Sequence, residues 1–154
     1  MNRNNYIHNY FNQGISQIIK YCLKNDIGKL VIGYNESWKQ EINFGKKTNQ
    51  SFTNIPHFLF KQKLKNKCDE YGIEFILTEE SYTSKTSFLD NEDVRKHDDY
   101  QGKRIKRGLF KSSEGTLINA DVNGSLNIIR KVFPKFNNDG ILGNIVTPVV
   151  LNIF

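Results

Sequence analysis

An α/β fold built around a pair of parallel strands is what the first half of this sequence predicts. Three observations carry the prediction: an apolar stripe of helical period over residues 5–25, two short apolar runs at 29–34 and 73–78, and a helical segment between those runs. A strand, a helix and a second strand make a crossover, and such crossovers join parallel strands with right-handed topology almost without exception.

The elements follow in chain order. Ile7, Phe11, Ile15, Ile18, Ile19 and Cys22 recur at spacings of three and four, which puts them on one face of an amphipathic helix, and the polar stretch Asn25 to Gly28 ends it. KLVIGY, residues 29–34, is a short apolar run closed by Gly and Asn, as expected of a buried strand. A polar loop through WKQEINFGKKTNQ leads to Asn54-Ile55-Pro56, where a second helix opens. Proline is tolerated near a first turn because its missing N–H would have had no partner there. Phe60, Leu64 and Cys68 share one side of this helix, Lys61, Lys63, Lys65 and Lys67 mark the other, and Gly72 closes it before IEFILT, residues 73–78.

Residues 83–118 are polar and show no clear period, with an acidic cluster at Asp90, Glu92, Asp93, Asp98 and Asp99 ahead of the basic run GKRIKRGLFK. A connection that long inside a compact domain is expected to be functional or partly disordered. Helical period returns from Asp121, with Val122, Leu126, Ile129 and Val132 or Phe133 on one face. The tail from Pro134 to Phe154 has room for an extra strand around Gly140, Gly143 and Pro148, and no internal repeat emerges.

A chain of 154 residues that is 38% hydrophobic is expected to fold as one domain, or most of one. Its 22 Lys and Arg against 16 Asp and Glu give a net charge of +6 and a pI near 9.3, which favours a polyanionic partner. Cys22 and Cys68 both fall on apolar stripes, so they read as buried, reduced thiols of a cytoplasmic protein. MNRNNYIHNY has no apolar signal region, and no apolar run approaches the ~20 residues of a membrane span, so no membrane partner is expected.

In α/β sheets, ligands gather beyond the carboxyl ends of the strands. Glu79 and Glu80 stand just past the second run, and because successive strand side chains alternate, one of the two is expected to face the strand mouth. Asp121, between Asn119 and Asn123, opens the last helix, where an acid serves either as a cap or as a metal ligand. A glutamate and an aspartate brought together there would suit Mg²⁺ or Mn²⁺, which take oxygen ligands. Lys103, Arg104, Lys106, Arg107 and Lys111, interleaved with Ile105, Leu109 and Phe110, form either a phosphate-binding segment or a solvated loop. Trp38, beside Lys39, either fills a core or stacks on a base. His8, His57 and His97 share no ligand spacing. With no CxxC pair and no Gly-rich phosphate loop, a histidine or cysteine metal site, a Ser/His/Asp triad and a Walker nucleotide site all lack support.

Taken together and in order, VIGYNESWKQEINFGKKTNQSF, IPHFLFKQKLKNKCDEYGI, EESYTSKTSFLDNE, GKRIKRGLF and NADVNGSLNIIRKV resemble the C-terminal half of TnpB, the OrfB-type protein of a large bacterial insertion-sequence family. That family consists of RNA-guided DNA endonucleases related to the type V CRISPR effectors and often labelled transposases. The resemblance implies an RNase-H-like (RuvC-type) α/β domain that lacks the first strands of its sheet. Its core would be residues 1–82 and 119–133, with 83–118 a polar and basic insertion and 134–154 a C-terminal tail. It also implies a site of two divalent ions, Mg²⁺ or Mn²⁺, held by three carboxylates, at which water activated by a metal hydrolyses a phosphodiester. Glu80, two residues before Tyr82, matches the family's glutamate, and Asp121 matches its last aspartate. The first aspartate belongs to a G-x-D-x-G segment upstream of the helix near Asn5, which this chain does not contain.

Implied partners are DNA, contacted through Lys103, Arg104, Lys106, Arg107, Lys111, Trp38 and Lys39, a guide RNA, and a separately encoded N-terminal half. Many relatives carry a zinc ribbon between the glutamate and the last aspartate; residues 81–120 here contain no cysteine, and position 87 is Ser where ribbon-bearing relatives have their first one, so no zinc is expected. With two of three carboxylates the chain is expected to cut nothing alone. The alternatives are a non-catalytic nucleic-acid-binding remnant, or the complementing half of a split protein.

Overall fold

A computed structural model of the chain describes residues 3–35 and 57–138, and these fall into two compact units, 3–30 with 57–76 and 31–35 with 77–138. The architecture is α/β with small sheets. Helix α1 covers Arg3–Lys24, strand β1 Lys29–Tyr34, helix α2 His57–Glu70 and strand β2 Glu74–Glu79. Strands β3 Lys103–Lys106, β4 Leu109–Lys111 and β5 Leu117–Asn119 follow, and helix α3 Ala120–Val132 comes last.

In the first unit, Phe11, Ile15, Ile19 and Cys22 are the buried face of α1 and Leu64 and Cys68 that of α2, which is the stripe their spacing predicts. The helices meet through an edge-on contact of Phe11 with Phe60 at 5.2 Å and a hydrogen bond from Lys63 Nζ to Asn12 Oδ1 at 2.8 Å. Burial pushes both thiols up, so Cys22 and Cys68 act as small apolar packing groups.

Both helices end in the same device. In α1, Ile27 N–H reaches back to Cys22 O and Asp26 N–H to Leu23 O; in α2, Ile73 N–H reaches Cys68 O and Gly72 N–H reaches Asp69 O. Each pair of bonds needs one residue in the left-handed region, supplied by Asp26 at φ 53° and Gly72 at φ 70°. The two helix–strand turns are therefore repeats at an offset of 46 residues, a similarity invisible in the side chains apart from Cys22/Cys68 and Ile27/Ile73. The offset persists into the strands: Glu74 N–H bonds Gly28 O at 2.8 Å and Glu80 N–H bonds Tyr34 O at 3.0 Å. Because 74−28 and 80−34 are both 46, β1 and β2 run parallel, as the crossover rule requires.

In the second unit, residues 83–118 form much of the core. Phe88, Phe110, Ile118, Ala120 and Leu126 make one buried cluster, with Leu89, Val122 and Phe136 packed against it. β3, β4 and β5 form an antiparallel meander, with Arg104 opposite Phe110 and Phe110 opposite Ile118. The β3–β4 turn is Arg107-Gly108, with Gly108 at φ 76°, and the register shifts between Arg104 and Lys106. Gly102 is needed for a different reason: a Cβ there would lie 2.5 Å from the Phe110 ring.

The last helix departs from the expected face. Its buried residues are Ala120, Asn123, Leu126 and Asn127, so two amides replace part of the predicted apolar stripe, and Val122 and Ile129 are only half-buried. Of the expected tail, Phe136 packs on Phe88 at 5.5 Å, while Asn138 bonds Asn91 Oδ1 and Leu89 O; the runs around Gly140, Gly143 and Pro148 lie outside the described residues. Among the described residues no helix is long and apolar enough to cross a membrane.

Candidate nucleic-acid interface

Strand β2 ends on two glutamates with different fates. The Glu79 carboxylate accepts from Ser81 N–H at 2.6 Å, from the Ser81 hydroxyl, and from Lys131 Nζ at 2.9 Å. The Ser81 hydroxyl bond is the largest influence and, with Lys131, holds this carboxyl below its ordinary range despite some burial. Glu79 is thus committed to closing the turn after β2. Glu80 is not so committed, and its carboxylate lies over Gly33 of β1, where a Cβ would meet Glu80 Oε2 at 2.8 Å and Ile128 Cδ1 at 2.8 Å. Glycine at 33 therefore makes room for the Glu80 side chain.

The turn that follows, 80–88, is gripped by α3. Asn127 Nδ2 donates to Thr83 O at 3.0 Å and Thr86 O at 2.7 Å; Asn123 Nδ2 donates to Thr86 O at 2.9 Å while its Oδ1 accepts from Phe88 N–H at 2.9 Å. Arg130 extends the stripe, donating to Asn127 Oδ1 and to Glu92 O and lying 5.2 Å from the Phe88 ring centre. Glu92 in turn accepts from Ser87 N–H at 2.7 Å and Gln101 N–H at 2.9 Å. Fully buried amides persist only where their hydrogen bonds are made, and these are. Within the turn Tyr82 sits at φ 66°, a region that non-glycine residues enter only when the surroundings fix it. Sequence reasoning missed Asn123, Asn127, Arg130 and Glu92. The available signal was their spacing, since 123, 127 and 130 stand one and two turns apart on a single helix face.

A second tie links the segment before the meander to the β4–β5 turn within it. Asp90 accepts from Ser113 N–H at 3.0 Å and Ser113 Oγ at 2.6 Å. Burial works to raise the Asp90 carboxyl, but the interactions with Ser113 and with the Ser87 hydroxyl outweigh it and hold it below its ordinary value.

Asp121 is not the helix cap. Asn119 is: its Oδ1 accepts from Asp121 N–H at 2.9 Å and Val122 N–H at 3.1 Å. That leaves the Asp121 carboxylate in the first turn, 86% exposed, with Arg104 Nη2 3.6 Å away. Arg104 belongs to β3, where all four residues are exposed, so Lys103, Arg104 and Lys106, followed by exposed Arg107 and Lys111, present a cationic ridge beside the start of α3. The α2 lysines are partly occupied locally: Lys63 bonds Asn12, Lys65 pairs with Asp69 at 2.6 Å and Lys67 with Glu70 at 2.6 Å. Trp38 and Lys39 lie outside the described residues.

Magnesium or manganese needs several oxygens converging on one point. Glu80 Oε2 and Ile128 Cδ1 both lie over Gly33, and Asp121 Oδ1 faces Arg104 Nη2 at 3.6 Å. Among the described residues no group of three or more His, Cys, Asp or Glu gathers to hold an ion. A two-ion site needs more carboxylates than the two, Glu80 and Asp121, that this chain would bring to it.

Residues 57–128 match the family model described as Cas12f1-like, TNB domain. A stretch of 40 residues is 48% identical to "Putative transposase A625R" of Paramecium bursaria Chlorella virus 1, covering 26% of this chain and 9% of that relative. Together they support a TnpB-like, transposon-associated family. The matched span runs from the start of α2 through the meander into α3, and so includes Glu80, the clamped turn, the cationic ridge and Asp121.

Proposed function

We propose that this chain is a RuvC-like, RNase-H-type portion of a TnpB-type RNA-guided DNA endonuclease, and that on its own it binds DNA without cutting it. The carrying observation is the wholly exposed strand β3, whose Lys103, Arg104 and Lys106 can pair with phosphates and whose Arg104 stands 3.6 Å from Asp121. Glu80 and Asp121 are the two carboxylates this portion would contribute to a Mg²⁺ or Mn²⁺ site; the third ligand, and the guide RNA, would come with a separately supplied segment. The contact between Arg104 and Asp121 favours a second reading, a purely binding module in which Asp121 only orients Arg104.

Purified protein incubated with labelled single- and double-stranded DNA in Mn²⁺ tests both. Retention that weakens steeply with salt and leaves the DNA intact is the expected result. Cleavage lost on Glu80→Ala or Asp121→Ala would overturn the inactivity of the lone chain. Co-expression with a segment bearing G-x-D-x-G separates the readings: gained cleavage supports the nuclease portion, and continued binding without cleavage supports the binding module.

A further inference from the structure

Three non-glycine residues among the described ones hold a positive φ: Asp26 at 53°, Asn91 at 52° and Tyr82 at 66°. Aspartate and asparagine enter that region more readily, because their short polar side chains bond the local backbone, and Asp26 also closes the end of α1. A tyrosine has no such help, so at 82 the surroundings must hold it there. The Tyr82 carbonyl accepts from Lys85 N–H and Thr86 N–H, both at 3.0 Å, and from the Thr86 hydroxyl at 2.9 Å, while the buried amides of Asn123 and Asn127 grip Thr86 O from α3. All of these bonds act on the backbone. The side chain is left out of them: Tyr82 is 40% exposed and, among the described residues, its side chain makes no hydrogen bond and no aromatic contact.

A strained backbone that carries an aromatic ring into solvent does nothing for folding that glycine or asparagine would not do better. What tyrosine supplies there is the ring, on a turn whose backbone is fixed from two sides. The surroundings of the turn indicate what the ring would meet. Tyr82 stands two residues after Glu80, and Ser84 and Lys85 of the same turn line a cleft of about 530 Å³ with Lys103 and Arg104 of β3, three cations against the two acids Asp98 and Asp99. A strand whose phosphates follow the ridge is thereby brought to this turn, and unpaired bases stack on exposed aromatic rings whatever their identity. We infer that Tyr82 is a stacking platform for one unpaired base of single-stranded DNA, holding a nucleotide at the turn that carries Glu80. The inference rests on the DNA-binding reading above and adds what a phosphate-tracking ridge cannot provide, a contact with the base itself.

Fluorescence anisotropy on the full chain, comparing oligo-dT with an abasic strand of the same length, isolates the stacking. The wild type is expected to bind oligo-dT more tightly than the abasic strand. Tyr82→Leu, which keeps apolar bulk but has no π face, should lose about ten-fold on oligo-dT, as one base–aromatic stack would give, and nothing on the abasic strand, while Tyr82→Phe should keep both affinities. Tyr82→Asn, which suits the left-handed backbone, should lose the same factor on oligo-dT without a lower melting temperature. With no substitution at all, ultraviolet irradiation of the wild type on an iodouracil-substituted strand should place the crosslink on Tyr82. Equal wild-type affinity for the two strands, a Tyr82→Leu loss that is absent or the same on both, a Tyr82→Asn melting temperature well below the wild type, or crosslinks that all fall elsewhere would overturn the platform, while salt-dependent binding left the DNA-binding reading standing. Absence of binding to any strand would remove both.

Discussion

Asp90 shows how much a single carboxylate does in a segment that looks like loop. From the segment ahead of β3 it reaches Ser113 in the β4–β5 turn, accepting two hydrogen bonds on a charged carboxylate, each of a kind that stabilises by about 1.5–3 kcal/mol. Asp90→Ala is expected to lower stability by about 2 kcal/mol and the melting temperature by about 4–8 °C, measured by circular dichroism. The sign of its pH dependence follows from its depressed pKa. Asp90 and Glu79 both ionise more readily when folded, so their contribution is complete above the ordinary carboxylate range near about 4 and is lost as pH falls through the folded values. In Asp90→Asn the acid-side fall in melting temperature should be shallower than in the wild type; an unchanged slope would show that Asp90 is not among the groups responsible. Gly102→Ala should destabilise through overpacking against Phe110, by about 1–3 kcal/mol.

At the scale of elements, the contrast between the two halves of the chain explains what sequence could show. α1, β1, α2 and β2 were legible because their apolar spacing is local and their stops are chemical: Gly72 occupies a left-handed position that few other residues hold comfortably. Residues 83–118 were not legible, because they are ordered by partners 35–44 positions away rather than by a repeating pattern, as with Phe88 to Asn123 and Thr83 to Asn127. At the candidate site, the basic run could be read as a charge pattern and Glu80 from its place at a strand end. Which of two glutamates was structurally consumed depended on Ser81 and Lys131, and no spacing rule reveals that. The clamp yields its own expectation. Asn127→Leu leaves the Thr83 carbonyl without its donor, takes one of two donors from Thr86 O and removes an acceptor of Arg130, and should cost about 2–4 kcal/mol, whereas Ser125→Ala, on the exposed side of the same helix, should stay within about 0.5 kcal/mol; denaturant unfolding measures both.

For the whole molecule, a net charge of +6 is less informative than where the exposed cations are grouped. On α2 the Lys65 and Lys67 ammonium groups are already satisfied by neighbours, while those of β3 and the following turn are exposed and grouped. Binding should therefore respond to β3 and hardly at all to α2. Lys106→Ala with Arg107→Ala is expected to reduce the slope of log affinity against log salt by about 1.4 on single-stranded DNA, with Lys65→Ala leaving it unchanged. The repeated helix–strand turns carry a different consequence, one of timing. Each is closed by bonds between residues three to five apart, which chains form within about a microsecond, whereas the grip of α3 on the 80–88 turn must wait for a far longer loop to close. A refolding chain would acquire its two helix ends first and the neighbourhood of Glu80 last, so the residues nearest the proposed chemistry would spend the longest time unprotected from solvent exchange.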